Sequence, residues 1–246
     1  MGELLALRRV GKGYRRGERR LRVLTDVSLA LGRGEVGAVV GSRDEGKTTL
    51  LKIAAGIERP DSGQVGLEEL DLAQLSDHER ARLLGVEIVW VSREGTGLPL
   101  EVIDHLALPL AMGRARGRRA TRTQALAALQ RVGAADCARR RWSELSDWER
   151  VLVGLARAVA CRPRLLVADS VVDGLGMRRT RQAGELLREL AEELQCGVLV
   201  SCTDLEVALL ADRVWSLERG RLSVLSEQEV TEAQIIEFPR PARADR

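Results

Sequence analysis

Apolar and polar positions along the chain follow two periodicities, which together predict an α/β fold. Short apolar or alternating runs are typical of strands. Such runs occur at residues 4–10, 21–31, 35–40, 65–67, 86–91, 164–169, 198–201 and 214–217. Apolar residues at helical spacing occur at residues 49–55, 75–84, 102–112, 121–132, 149–160, 178–195 and 204–210. Because strands and helices alternate in the second half, we expect βαβ units and a mostly parallel core sheet.

The order of these elements predicts how the chain is divided. The first two strands follow one another without a helix, which indicates a separate N-terminal sheet. Helices 102–112 and 121–132 have no strand between them, and a glycine-rich loop at 95–97 precedes them. We therefore expect a helical insertion in the α/β core. Residues 226–246 end in prolines and charged residues, and this composition predicts a loosely ordered tail.

Composition is that of a globular protein. The chain has 246 residues, of which 45% are hydrophobic and 30% are charged, and this suits one domain with a full core. No stretch approaches about 18 uninterrupted apolar residues, and the first residues do not resemble a signal peptide. The four cysteines lack Cys-x-x-Cys spacing, as expected of reduced thiols. We expect a soluble cytoplasmic protein that reaches a membrane through partner subunits.

Charge and aromatic content argue against nucleic-acid binding. The net charge is only +3, and the arginine clusters near 16–20 and 114–119 are typical of solvated loops. Aromatic residues make up 2% of the chain, so bases would find little to stack on.

The segment GSRDEGKTT at 41–49 carries the strongest chemical signal. It follows a predicted strand and opens a predicted helix, which is the setting of a phosphate-binding P-loop. Gly41 and Gly46 would shape the turn, and Lys47 would reach the β- and γ-phosphates. The hydroxyl of Thr48, followed by Thr49, would hold magnesium.

Two carboxylates in this loop oppose that interpretation. Asp44 and Glu45 lie where phosphates are expected, and a carboxylate about 6 Å from a phosphate charge costs roughly 1–3 kcal/mol before screening. Asp44 also takes a place where glycine usually serves, and a side chain there restricts the backbone. The alternative is that both side chains are solvated and point away from the phosphates.

A strand that ends in Asp169, more than a hundred residues after the P-loop, is the place for a second magnesium-linked carboxylate. With this residue the chain to about residue 225 resembles the nucleotide-binding subunits of ABC transporters, closest to the lipoprotein-release and macrolide-export type. The segments that match in order and spacing are 98–110, 144–146, 156–158, 162–169, 211–214 and 220–222.

The resemblance implies a P-loop fold of the ABC ATPase type. This fold has a mostly parallel core sheet, an N-terminal antiparallel β-subdomain and an α-helical signature subdomain at about 93–160, within an ATPase-like domain at 1–225. It implies ATP and Mg²⁺ as cofactors, with Thr48 and Asp169 as the magnesium ligands. Tyr14 resembles the aromatic that stacks on adenine, although it could equally be an ordinary aromatic at a sheet edge.

Positions expected around the nucleotide at this chain's own P-loop depart from the family pattern. The glutamate that polarises the attacking water is replaced by Ser170, and loss of a general base typically costs 10²–10⁴ in rate. The switch histidine falls on Thr203. Both histidines of the chain, His78 and His105, precede Asp169, so neither can fill that position, and we expect both on helix surfaces.

The positions that would face other subunits also depart from the family pattern. The Q-loop glutamine falls on Ser92 and the D-loop aspartate on Gly176. The Leu-Ser-Gly-Gly signature keeps Ser146 but continues with Asp147 and Trp148. An acid and an indole thus replace a backbone that would approach a γ-phosphate closely.

ABC subunits of this family act as head-to-tail dimers, in which each ATP lies between one P-loop and the partner's signature. Ser170 and Thr203 would disable one of the two composite sites, and Asp147 with Trp148 would disturb the other. The resemblance therefore suggests a pseudo-ATPase that pairs with a second ATP-binding subunit rather than with itself. It would contact membrane-spanning subunits through the surface around 93–105.

Alternative interpretations remain at this point. The chain could be an active transport ATPase in which Glu45 or Asp173 acts on water. It could instead be an interaction module without nucleotide, in which Asp44 and Glu45 form an ion pair with Lys47. A nucleic-acid-associated ABC protein is less consistent with the sequence, because such proteins usually carry two of these domains.

Overall fold

The computed structural model describes residues 2–17, 19–94, 100–113, 117–203, 208 and 210–226. The core is a six-stranded sheet with the strand order β10-β9-β3-β8-β7-β6. These strands are β3 (Val36–Val40), β6 (Ile88–Ser92), β7 (Leu165–Asp169), β8 (Gly197–Cys202), β9 (Arg213–Glu218) and β10 (Arg221–Leu225). All neighbours pair in parallel except β9 and β10, which form an antiparallel hairpin at the edge. The predicted mostly parallel core sheet is confirmed.

A second sheet is antiparallel and has the order β2-β1-β4-β5. Its strands are β1 (Glu3–Arg16), β2 (Arg19–Gly32), β4 (Ser62–Leu67) and β5 (Leu70–Asp71). β1 and β2 form a long hairpin, as the uninterrupted pair of strand patterns predicts. The separate N-terminal sheet is thus confirmed.

In the described residues, six α-helices cover the sheets or extend from them. They are α1 (Lys47–Ala54), α2 (Asp77–Leu83), α3 (Val102–Gly113), α4 (Arg118–Arg131), α5 (Asp147–Cys161) and α6 (Met177–Leu194). Helices α3, α4 and α5 pack on one another as the predicted helical insertion. α2 follows its N-cap Ser76, whose hydroxyl accepts a hydrogen bond from the Glu79 N–H.

The differences from the predicted elements are local. β6 begins at Ile88, not at residue 86, because residues 85–87 form a turn in which the Glu87 N–H bonds the Leu83 carbonyl. The short strand β5 and the edge strand β10 were not predicted. The predicted loop at 95–97, most of the predicted helix at 204–210 and the predicted tail from 227 lie outside the described residues.

The core sheet is buried on both faces. In β3, Val36, Ala38 and Val40 pack with the helical layer, while Val39 packs against α1 and the N-terminal sheet. This follows from the alternation of side chains along a strand. A strand buried on both faces reads as a continuous apolar run.

The carboxyl ends of four adjacent strands meet at one edge of this sheet. The register pairs Val40 with Cys202, Asp169 with Ser201, and Ser92 with Asp169. Ligands of open α/β sheets bind at such an edge. The loop at 41–46, which follows β3 directly, is therefore brought beside the ends of β6, β7 and β8.

Candidate functional site

The loop at 41–46 joins β3 to α1 and depends on its glycines. A Cβ at Gly41 would lie 2.5 Å from the carbonyl oxygen of Leu217, and one at Gly46 would lie 2.8 Å from Val23 Cγ1. Gly46 also has φ of 100°, a conformation that favours glycine. Asp44 adopts φ of 67°. The backbone thus accepts a residue that the sequence suggested would not fit, because aspartate is among the side chains that tolerate the left-handed region.

Lys47, the first residue of α1, is held by the loop itself. Its side chain is buried, and its Nζ donates to the carbonyl oxygens of Gly41 at 2.5 Å and Ser42 at 2.7 Å. The ion pair of Lys47 with Asp44 and Glu45, which belongs to the alternative without nucleotide, is not present among the described residues. The Glu45 carboxylate instead accepts a hydrogen bond from the Arg219 N–H in the β9–β10 turn, and Asp44 is exposed.

Thr48 and Asp169 lie together, as the resemblance implies. The Thr48 hydroxyl donates to Asp169 Oδ2 at 3.0 Å and lies 3.2 Å from Oδ1. The Ser201 hydroxyl donates to Asp169 Oδ1 at 2.7 Å. The α1 N-terminus and the ends of β7 and β8 therefore meet at a single carboxylate.

This pair of oxygen donors suits magnesium. Mg²⁺ is usually bound by one or two carboxylate or hydroxyl oxygens together with substrate phosphates and water. No group of three or more histidine, cysteine, aspartate or glutamate residues that could hold a metal occurs in the described part of the chain. The site thus fits an ion that enters with a nucleotide.

The positions to which the resemblance assigns the base and the switch lie at the same edge. Ser170 follows Asp169 with φ of 50°, and its N–H donates to the Ser201 hydroxyl at 2.9 Å. Thr203 follows β8, and its N–H donates to Asp173 Oδ1 at 3.0 Å. The Asp173 carboxylate is therefore engaged with the backbone next to the position of the missing histidine.

Both histidines lie outside this group, one in each of two helices. His78 is exposed on α2, as expected. His105 is half-buried in α3, which corrects the expected surface position, and its ring centroid lies 6.2 Å from that of Trp142. Burial lowers the pKa of His105, and the nearby Arg157 charge acts in the same direction.

Tyr14 is brought from β1 to the first turn of α1. Its hydroxyl donates to Glu58 Oε1 at 2.7 Å and lies 3.4 Å from Thr49 Oγ1. The Lys12 ammonium lies 5.5 Å from the ring centroid, and 39% of the residue remains exposed. Burial raises the pKa of the Tyr14 hydroxyl, and the Glu58 hydrogen bond adds to this shift. An accessible aromatic ring is thus fixed beside the loop.

Ser92 ends β6 opposite Asp169 in the sheet register. It also lines a cavity of about 90 Å³ together with Trp90, His105 and Arg157. The position that the resemblance assigns to the Q-loop therefore connects the sheet edge with the helical layer.

The segment that replaces the signature forms the start of α5. Ser146 is its N-cap: the Ser146 hydroxyl donates to Glu149 Oε2 at 2.8 Å and lies 3.4 Å from the Glu149 N–H, from which it accepts. Hydrogen bonds from the Ser146 backbone and hydroxyl and from Arg140 lower the pKa of Glu149 to about 2. The hydroxyl expected to meet a phosphate is thus committed to a capping box.

The two residues that replace the signature glycines are held by arginines. The Asp147 carboxylate lies 3.3 Å from Arg150 Nη1 and 4.0 Å from Arg93 Nη1. The Trp148 ring lies 5.9 Å from the Arg179 guanidinium of α6, a helix whose N-cap is Gly176, the D-loop position. No described hydrogen bond or ion pair joins Ser146 or Asp147 to Lys47, Thr48 or Asp169.

Two contacts at the site escaped the sequence analysis. Ser201 lies in a run of apolar residues, and its signal was a single hydroxyl in the strand next to the one that ends in Asp169. The bond between Glu45 and Arg219 joins residues 174 positions apart. No local pattern indicates such a contact.

None of the helices in the described ranges is long and apolar enough to cross a membrane.

Comparisons with known proteins agree with this geometry. Residues 24–172 match the family described as ABC transporter. The lipoprotein-releasing system ATP-binding protein LolD of Bordetella pertussis is 35% identical over 90% of this chain and 96% of its own length. The methionine import ATP-binding protein MetN 1 of Rhodococcus jostii is 33% identical over 89% of this chain and 65% of its own length.

A solved structure shows the same fold. The dimeric post-hydrolysis state of the ATP-binding cassette MJ0796 bound to ADP and Pi has a TM-score of 0.83 and 27% identity, and it covers 90% of this chain and 99% of that chain. Together with the loop at 41–46 and the Thr48–Asp169 pair, these matches show that the chain is an ATP-binding subunit of the ABC transporter family.

Proposed function

We propose that this ATP-binding subunit is a pseudo-ATPase, which binds MgATP weakly, hydrolyses little, and supports or regulates membrane subunits and a partner ATPase. One observation carries the proposal. The groups that hold a nucleotide are present at the sheet edge, while the base and switch positions at the same edge carry Ser170 and Thr203.

Nucleotide binding would use the residues already gathered there. Lys47 would exchange the Gly41 and Ser42 carbonyls for phosphate oxygens, and Tyr14 would offer its ring to the base. Thr48 and Asp169 would hold Mg²⁺, which neutralises phosphate charge when bound. Gly46 and Thr49 would keep the start of α1 in place beneath the phosphates.

Hydrolysis would suffer most because the candidate replacements for the base are occupied. The Glu45 carboxylate accepts from the Arg219 N–H, and the Asp173 carboxylate accepts from the Thr203 N–H. Each hydrogen bond fixes one oxygen of its carboxylate on a backbone N–H, so the carboxylate would have to move from that contact if its free oxygen does not reach the attacking water. Without a base, hydrolysis falls by about 10²–10⁴.

Dimerisation would decide what activity remains. In a head-to-tail homodimer each site would combine Ser170 and Thr203 with Asp147 and Trp148, so neither site would be competent. A partner with intact motifs would leave one weakened site that turns over, with Ser146 as its remaining signature hydroxyl. We therefore propose a heterodimer with a second ATP-binding subunit.

Attachment to the inner face of the cell membrane would occur through membrane-spanning subunits at the surface around 93–105. A groove of about 800 Å³ lies between α2 and α3 beside this surface, with Leu84, Leu108 and Pro109 in its walls. Arg157 also lines it, and its buried Nε has no hydrogen-bond partner in the described part of the chain. A groove with apolar walls and a guanidinium whose Nε is unsatisfied among the described residues suits an amphipathic segment that carries a carboxylate.

A titration of the purified chain with a fluorescent ATP analogue and Mg²⁺ tests the proposal, with Lys47→Ala as control. We expect saturable binding that the control loses, together with phosphate release no greater than that of the control. The absence of binding in both proteins would favour the nucleotide-free interaction module. Turnover that Lys47→Ala abolishes would instead show an active transport ATPase.

A further inference from the structure

We propose that Ser201 is a positioning residue for the magnesium ligand Asp169, an inference that rests on the nucleotide binding proposed above. Ser201 is fully buried in β8, within a strand whose other members are apolar except for Gly197. A buried hydroxyl is unfavourable unless its hydrogen bonds are satisfied. Its contacts therefore indicate why a serine is compatible with this position.

Both hydrogen-bonding functions of the hydroxyl are directed at the end of β7. Ser201 Oγ donates to Asp169 Oδ1 at 2.7 Å and accepts from the Ser170 N–H at 2.9 Å. One atom thus fixes the carboxylate and the next peptide group at the same time. The parallel register, which places Ser201 opposite Asp169, provides this proximity.

The two oxygens of Asp169 consequently differ. Oδ1 is held from within the sheet by Ser201, while Oδ2 accepts from the Thr48 hydroxyl at 3.0 Å. Thr48 and Asp169 would exchange their mutual hydrogen bond for the ion, whereas the Ser201 bond does not need to break. Groups that orient a metal ligand in this way are part of the metal site, and their loss typically lowers metal affinity about 10–100-fold.

The test separates a magnesium-specific role from a merely structural one. The full chain and Ser201→Ala are titrated with the fluorescent ATP analogue, first in EDTA and then across a Mg²⁺ series. Ser216→Ala is the matched control, because Ser216 also lies in the core sheet but its hydroxyl donates to Glu218 Oε1. Urea unfolding of all three proteins verifies that they are folded.

We expect Ser201→Ala to raise the Mg²⁺ concentration at half-effect about tenfold or more and to leave affinity in EDTA unchanged. Ser216→Ala should match the native chain in both conditions. An unchanged Mg²⁺ requirement, or an equal loss with and without Mg²⁺, would overturn the role of Ser201 and leave nucleotide binding intact. A native chain that binds no nucleotide would overturn both this inference and the proposed function.

Discussion

At the scale of single residues, the two carboxylates of the loop at 41–46 differ in how they would affect a bound phosphate. Glu45 is turned to the Arg219 N–H, and Asp44 is exposed without an ion pair among the described residues. The hydrogen bond from the Arg219 N–H partly stabilises the negative charge of Glu45 and directs the carboxylate toward the β9–β10 turn. Asp44 is therefore the main source of repulsion that the loop would offer to a nucleotide.

Replacement of Asp44 by asparagine should tighten nucleotide binding. Asparagine tolerates the left-handed backbone that Asp44 adopts, so the change removes charge without strain. At an effective dielectric near 20, the repulsion of roughly 1–3 kcal/mol corresponds to a gain of about 5- to 150-fold in affinity before screening, and the gain should shrink as salt is added. Titrations of Asp44→Asn and Glu45→Gln at low and high salt measure the difference. A larger gain from Glu45→Gln would show that Glu45 is the opposing charge.

The capping box of α5 links a single residue to acid stability. The pKa of Glu149 is lowered from 4.5 to about 2, so its contribution to folding is complete above about pH 4.5 and is lost as pH falls toward 2. Glu149→Gln should lower the free energy of unfolding by about 1 kcal/mol at pH 7. Urea unfolding at pH 7 and pH 3 should show the two proteins converging at the lower pH. A pH-independent difference would point to packing rather than charge.

At the scale of secondary-structure elements, α5 carries a cation, Arg157, whose buried Nε has no hydrogen-bond partner in the described part of the chain. Arg157 lies against the groove between α2 and α3, and burial lowers the pKa of its guanidinium. Arg164, three residues after the end of α5, is by contrast paired with Glu68 at 2.8 Å and Glu87 at 2.9 Å. Substitution of these two arginines therefore compares, within one chain, how an arginine with a buried Nε and an ion-paired arginine affect the free energy of unfolding.

Arg157→Met should leave the free energy of unfolding unchanged or raise it, because removal of an uncompensated buried charge is commonly neutral or stabilising. Arg164→Met, the control, should destabilise the chain because it removes the ion pair of Glu87 and leaves Glu68 with Arg33 alone. Equilibrium urea unfolding measures both. A loss of about 2 kcal/mol or more in Arg157→Met would show that Arg157 serves the fold rather than a contact outside it.

Strands and helices could be predicted where their burial leaves a clear pattern of apolar residues. The site could be predicted where a sequence motif lies at the end of a strand or at the start of a helix. β3, β7 and β8 are buried on both faces, so their apolar runs could be recognised. β10 was missed because Val224 is 73% exposed and its strand buries little. Ser201 and the Glu45–Arg219 bond were missed because they depend on sheet register and on a distant turn.

At the scale of the whole molecule, the residues that depart from the family pattern fall into two groups, which we propose to act in different composite sites. Ser170 and Thr203 lie at the strand ends beside Asp169, whereas Asp147 and Trp148 lie at the start of α5 and contact Arg150 and Arg179. No described hydrogen bond or ion pair connects Asp147 with Ser170 or Thr203. In a head-to-tail dimer each group would meet the other only across the interface.

This arrangement predicts strong non-additivity in restored hydrolysis. Ser170→Glu with Thr203→His repairs one half of each homodimer site, and Asp147→Gly with Trp148→Gly repairs the other half. Each pair alone should leave phosphate release near the native level, because both sites still lack one half. All four changes in one chain should raise it by about 10²–10⁴, the contribution of a general base. A mixture of the two double variants forms one fully repaired site per mixed dimer, against two per dimer in the quadruple variant. Phosphate release well above that of either double variant, at a fraction of the quadruple level, would confirm that the halves come from different chains. Full recovery by either pair alone would contradict the shared-site arrangement.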